Sequence, residues 1–373
     1  MRFVALFIIM AAFGASPAAA QPRPAPVPHS ASYTRFEAAV AEAKTAMMGD
    51  PEQALAKSEI ALARARELAP SAQREIAIAT AEWLKGESFM FLNQSDKAVP
   101  AIKAALERVE RSAPRSKLHG DLMRSRGAIA AMKGNAVAAM EDYQRAHDIF
   151  REAGEVRSQA IALQDIGQIY SDAGDYARTL EYYSQAAELY DKEPAFRLTS
   201  HNNRAEVLRK LGRYGEAEAD FREALKSARE LKSPLLEVRI LSNLAAAQVE
   251  GGKFDAAQRT IDEALRLSRS GEAAGWKPFV LGAAAQVAVA RSNLPLAAEL
   301  LKQAFAGAEF ATTTLQFREF HELAAGVFEK LGDQQLALAH LKAFQRLDSE
   351  ARNLTASTSS QLMAAKFDFQ NQK

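Results

Sequence analysis

Gly167 to Leu189 reads GQIYSDAGDYARTLEYYSQAAEL, and Asn203 to Leu225 reads NRAEVLRKLGRYGEAEADFREAL. In each stretch a helix-forming run halts at a glycine, Gly174 or Gly212, and resumes. Glycine takes positive φ at little cost, which is what a helix end needs before the chain reverses. Working outward, turn residues recur at Gly49, Asn93, Gly134, Gly174, Gly212, Gly252, Ser292 and Gly332, at intervals of 38 to 44 residues. Other positions keep step with them. Five residues after each turn come Ala54, Ala98, Ala139, Thr179, Ala217, Ala257, Ala297 and Ala337. Nine after come Ser58, Ile102, Tyr143, Tyr183, Phe221, Ile261, Leu301 and Leu341, and twelve after come Ala61, Ala105, Ala146, Ala186, Ala224, Ala264, Ala304 and Phe344. Seven before come Glu42, Gly86, Gly127, Gly167, Ala205, Ala245, Ala285 and Ala325. Small residues on both arms predict two antiparallel helices crossing closely, with the large residue filling the space between units. Pro70, Pro114, Pro194 and Pro234 fall near the ends of second helices, where proline stops a helix. One unit cannot bury its own apolar face, so units stack.

The pattern resembles the tetratricopeptide repeat (TPR). The family's small, aromatic and alanine positions are matched by Gly167, Tyr170, Tyr183 and Ala186, and again by Ala205, Tyr214, Ala217, Phe221 and Ala224. A period near 40 residues also suits HEAT or armadillo units, but the Gly-Asp-Tyr turn with alanine at a fixed offset favours TPR. Longer units of this kind resemble TPR proteins that bind peptides or serve as regulatory inputs, such as kinesin light chains. The resemblance implies an all-α, right-handed α-α solenoid of about eight helix-turn-helix units over residues 35–352. Irregular first and last units (Glu42, Ser58, Phe344) suit capping repeats.

The chain ends ask for separate treatment. Arg2, the apolar run Phe3 to Phe13 and Ala18-Ala19-Ala20 read as a signal peptide, residues 1–20, cleaved after Ala20. An uncleaved anchor is the alternative. This predicts a periplasmic or secreted protein, touching a membrane only through a partner or an uncleaved signal. Residues 21–34, with Pro22, Pro24, Pro26 and Pro28, form a semi-rigid linker. Residues 353–373 read as a polar linker, NLTASTSS, followed by a helix. That helix is either a plain cap or, because LMAAKFDFQNQK resembles the end of periplasmic TPR sensor regions of bacterial diguanylate cyclases, a connecting segment.

Function follows mostly by exclusion. With 47 basic against 46 acidic residues, nothing in the overall charge draws the chain to nucleic acid. The chain has no cysteine, which removes disulfides, thiol catalysis and cysteine-ligated metals. There is no G-x-x-x-x-G-K-S/T, H-E-x-x-H, G-x-S-x-G or G-x-G-x-x-G, so no catalytic residue, cofactor or metal site is predicted. The six histidines (His29, His119, His147, His201, His321, His340) are scattered and read as solvated or packed. Glu216, Glu218 and Asp220 read as solvated surface. The basic run Lys103, Arg108, Arg111, Arg115, Lys117, Arg124, Arg126 is a solvated face or meets an acidic partner. Trp83, Met90 and Phe91 are core, or a groove anchor, and Trp276 packs in a linker.

The first helices of successive units are expected to line the concave face. On them lie Gln164, Gln168, Asn203, Arg239 and Asn243. Carboxamides on adjacent helices can bond both N–H and C=O of an extended peptide. This is similar to the asparagine ladders of peptide-binding TPR proteins. It echoes in position, not identity, the clamp by which chaperone-binding TPR domains hold a terminal carboxylate. The alternative is that Asn203 and Asn243 only tie neighbouring helices. The reading is therefore a non-catalytic exported scaffold for a peptide or protein partner. Its rival is the sensory input of a signalling system lacking its output domain.

Overall fold

A computed structural model describes residues 30–47, 49–269 and 271–371. The expected signal peptide, and the proline-rich segment up to His29, lie outside the described residues. Among the described residues sixteen α-helices follow one another, two to a repeat: α1 (Ala31–Met47) and α2 (Pro51–Arg66), α3 (Ala72–Phe91) and α4 (Ser95–Ser112), α5 (Lys117–Met132) and α6 (Ala136–Glu152), α7 (Val156–Asp172) and α8 (Tyr176–Leu189), α9 (Pro194–Lys210) and α10 (Tyr214–Glu230), α11 (Pro234–Glu250) and α12 (Phe254–Leu267), α13 (Lys277–Ala290) and α14 (Leu294–Ala304), and α15 (Arg318–Lys330) and α16 (Gln334–Asn371). No strand interrupts them among the described residues.

The turns behave as the sequence requires. Asn93, Gly134, Gly174, Gly212, Gly252, Ser292 and Gly332 all have φ between 57° and 81°. Serine at 292 shows that the position, not glycine itself, is the constant, and Gly49 in the first pair departs from it. Polar caps start many of the helices that follow: the side chains of Asn135, Asp175 and Asn293 accept from the backbone N–H three residues on. Pro194 and Pro234 are the first residues of α9 and α11. They open the next helix rather than close the previous one, because the first turn needs no N–H from them.

Close crossing explains the small residues. A Cβ on Gly86 would stand 2.5 Å from Ile102 Cδ1, and one on Gly127 would stand 2.8 Å from Tyr143 Cε1. The residue seven before the turn therefore faces the residue nine after it. In the last pair this register slips one residue toward the N-terminus: Ala324, His340 and Ala343 are buried, while Leu341 is 40% exposed. The segment Asn353–Ser360 is helical and continuous with α16, so the expected polar linker is absent. Its small polar residues do not stop a helix already propagating from the last repeat.

The described residues divide into two compact units: those within 30–169, 188–190 and 360–371 form one, and those within 170–187 and 191–359 the other. The first unit has a core built on Met47, Trp83, Leu84, Ile102, Leu122 and Phe150. In it the Gln361 amide donates to Gly134 O and accepts from Ala136 N, both at 2.9 Å, across the turn of the third pair. The second has a core that includes Leu281, Leu301, Phe305 and Phe328. No described helix is long and apolar enough to cross a membrane.

Candidate functional site

The five nominated residues fall in different surroundings. Gln164 and Gln168 belong to the first unit. Gln164 is 1% exposed, and neither its Oε1 nor its Nε2 has a hydrogen-bond partner. Gln168, one turn on, is half-buried. Asn203, Arg239 and Asn243 belong to the second unit and are all half-buried, on α9 and α11.

Here the side chains form a directed chain. Asn243 Nδ2 donates to Asn202 Oδ1 at 3.1 Å, and Asn202 Nδ2 donates to Asn203 Oδ1 at 3.3 Å. Asn202, which the sequence reading passed over, is the buried link between the two helices. Its consequence is specific. The chain begins at Asn243, whose Oδ1 lies outside it, and ends at Asn203, whose Nδ2 lies outside it. One acceptor and one donor thus stand at opposite ends of a fixed ladder. Those are the group types that pair with a peptide N–H and C=O.

Arg239, one turn before Asn243 on α11, lies 4.5 Å from the centre of the Trp276 ring. Trp276 ends a 3-10 turn, Gly271–Trp276, and stacks on Phe279 at 4.2 Å. Burial lowers the Arg239 guanidinium to about 10.

Charged groups elsewhere are more ordered than the sequence suggested. Glu218 and Asp220 are buried, not solvated. Against the penalty of burial, hydrogen bonds from Lys253, Arg222 and Gln248 hold Glu218 at about 2. Asp220 is likewise held down by Arg204 and His201. The basic run is largely neutralised: Arg108 meets Glu75 and Glu82, Arg115 meets Glu152, Lys117 meets Asp121, Arg124 meets Asp165 and Arg126 meets Asp142. Trp83 and Met90 are core, and the Trp83 indole donates to Ser125 Oγ at 3.0 Å. His321 and His340 are not scattered but in contact, Nδ1 to Nδ1 at 2.8 Å. No cluster of three or more metal-ligating side chains occurs among the described residues.

Residues 118–192 and 196–270 match the profile of the tetratricopeptide repeat family, so the chain carries such repeats. No curated protein matches it. Among solved structures, the apo form of the quorum sensor NprR from B. thuringiensis superposes with a TM-score of 0.63 at 11% identity, covering 84% of this chain and 87% of that one. Apo RapI gives 0.58 at 17% identity, covering 74% and 98%. A Rap protein complexed with Competence and Sporulation Factor gives 0.53 at 13% identity, covering 86% and 99%. At these identities the likeness is one of fold: a TPR-like α-α solenoid.

Proposed function

We propose, from a tetratricopeptide-repeat array that carries a polar ladder across two first helices, that this chain is a non-catalytic scaffold binding a peptide or protein segment. The observation that carries the reading is the Asn243–Asn202–Asn203 chain, with a carboxamide oxygen at one end and a carboxamide NH2 at the other. An extended backbone offers both complements in every residue, so the contact favours peptide without dictating its sequence. That a structurally similar Rap protein was captured with Competence and Sporulation Factor is consistent with a binding role for the fold. The N-terminal pattern supports export, with the mature chain acting in the periplasm or outside the cell.

The test is the double variant Asn203→Ala/Asn243→Ala, titrated calorimetrically beside the wild type with a pool of blocked, uncharged heptapeptides. Binding should fall at least tenfold while far-UV circular dichroism is unchanged. Equal binding by both proteins would overturn the ladder's role. Fractionation of the native cells tests export separately: a product near the mass of residues 21–373 outside the cytoplasm is the expected result. A larger, membrane-held species would instead favour the sensory-input reading. The unbroken helix through residues 353–371 is compatible with such a connection.

A further inference from the structure

We infer that His321 and His340 form a two-coordinate site for copper(I), held in line between their Nδ1 atoms. The site is separate from the asparagine ladder and stands or falls without it.

Two imidazoles from different helices aim the same atom at one point. His321 lies on α15 and His340 on α16, both are buried, and their Nδ1 atoms are 2.8 Å apart. A neutral imidazole binds a metal through the lone pair of one nitrogen, and the hydrogen bond made at the other decides which nitrogen is bare. That orienting contact exists at His321. Thr313 Oγ1 donates to Phe310 O at 2.8 Å, so it accepts from His321 Nε2–H at 3.0 Å and leaves Nδ1 of His321 without a proton. His340 presents a second lone pair once its one proton moves from Nδ1 to Nε2. Both rings then remain neutral, and loading neither takes up nor releases a proton.

The surroundings select the ion. Phe305 and Phe310 each lie within 5.2 Å of both imidazoles, and Phe328 stacks on His340 at 5.6 Å. Among the described residues no carboxylate pairs with either ring, and the charged group that acts on His321 is Arg346, a cation. A divalent ion such as zinc asks for four ligands, and burying two charges without an anion is costly. Copper(I) brings one charge, binds imidazole and is satisfied by two nitrogens in line. The faces of the flanking phenylalanines favour a cation further. Two collinear bonds of about 2 Å each set the nitrogens about 4 Å apart, so the rings draw apart by roughly 1 Å on loading.

The experiment titrates the full chain anaerobically with copper(I) against the chromogenic chelator bicinchoninate, beside His321→Phe/His340→Phe and Thr313→Val. The wild type should withdraw one copper(I) per chain, and the double variant should lose that equivalent. Thr313→Val, which removes the acceptor that orients His321, should bind about tenfold more weakly. Zinc(II) should bind the wild type about a hundredfold more weakly than copper(I). X-ray absorption at the copper edge needs no variant and should show two imidazole nitrogens and no further ligand. It decides the matter if the double variant loses its helicity. Equal withdrawal by wild type and double variant would mean an adventitious ion only, on the other histidines and methionines, and would overturn the site. So would no withdrawal at all, a spectrum with three or more ligands, or zinc bound as tightly as copper(I).

Discussion

Acidification should loosen the last helix pair through a single contact, His321 with His340. Both rings are essentially inaccessible, at 0% and 2% exposure, among Phe305, Phe310 and Phe328. Their tautomers follow from the network. Thr313 Oγ1 donates to Phe310 O at 2.8 Å, so toward His321 Nε2 at 3.0 Å it can only accept. His321 thus carries its proton on Nε2 and presents a bare Nδ1. His340 must donate its Nδ1–H across the 2.8 Å contact. Arg346 donates to Phe310 O and Thr313 O and is the facing charged group, itself cationic. One further proton fits only on His340; a second sets two N–H groups against each other. Burial pushes both imidazoles down to about 4, with Arg346 adding to the effect on His321 and His321 to that on His340.

An unfolded histidine titrates near 6.5. With the folded values depressed, the unfolded chain binds more protons between pH 6.5 and 4. Stability is therefore full above that window and is lost as pH falls through it. From pH 7 to pH 5 each ring contributes about 2 kcal/mol of loss, roughly 3 to 4 for the pair. The assay is urea denaturation at both pH values, for the wild type and for His321→Phe/His340→Phe. His119 and His147 are also lowered, chiefly by burial, but they are common to both proteins and cancel. The variant should be less sensitive to acid by about that amount. Equal sensitivity would refute the reasoning.

Two further outcomes follow from packing and charge. Gly86→Ala should cost about 1–3 kcal/mol, because its Cβ would fall 2.5 Å from Ile102 Cδ1, and Ile102→Val should recover part of the loss in the double variant; additive thermal-melt losses would count against a shared crossing. Asp165→Asn leaves buried Arg124 without its 2.6 Å carboxylate partner and should cost about 3–5 kcal/mol in a melt at neutral pH. A loss under about 1 kcal/mol would mean Glu87, which neighbours the same guanidinium, compensates it.

The repeat was legible in the sequence because backbone crossing fixes it. Gly86 opposite Ile102 and Gly127 opposite Tyr143 are consequences of helix spacing, and no neighbour can substitute for a missing side chain. The slip in the last pair was not legible: Leu341 and His340 are adjacent, and only packing of α16 decides which turns inward. The charged network was hidden for another reason. Asp142 and Asp220 look like surface acids until Arg126 and Arg204, sixteen residues earlier on the facing helix, are placed beside them. Of the candidate site, Asn203, Asn243 and Arg239 were nominated from their places on the first helices. Asn202 was missed because its role exists only when α9 and α11 lie side by side, although the doubled asparagine at 202–203 was a visible cue.

Histidine shows best how the partner, not the residue, sets the chemistry. His201 and Asp220 lie eleven residues before and eight after Gly212, and their Nδ1 and Oδ1 are 3.1 Å apart. His321 and His340 lie at the same offsets from Gly332. One hairpin therefore offers a histidine a carboxylate, and the other offers it a second imidazole. His340→Asp would carry the first arrangement into the second. A carboxylate beside His321 favours the imidazolium, which raises the folded pKa above 6.5 instead of depressing it. Stability from the new pair would then be present below the unfolded value and lost as pH rises through the folded one. The variant should accordingly gain stability in urea between pH 7 and pH 5, where the wild type loses it. If it loses stability on acidification as the wild type does, the aromatic surround of Phe305, Phe310 and Phe328, and not the facing imidazole, governs His321.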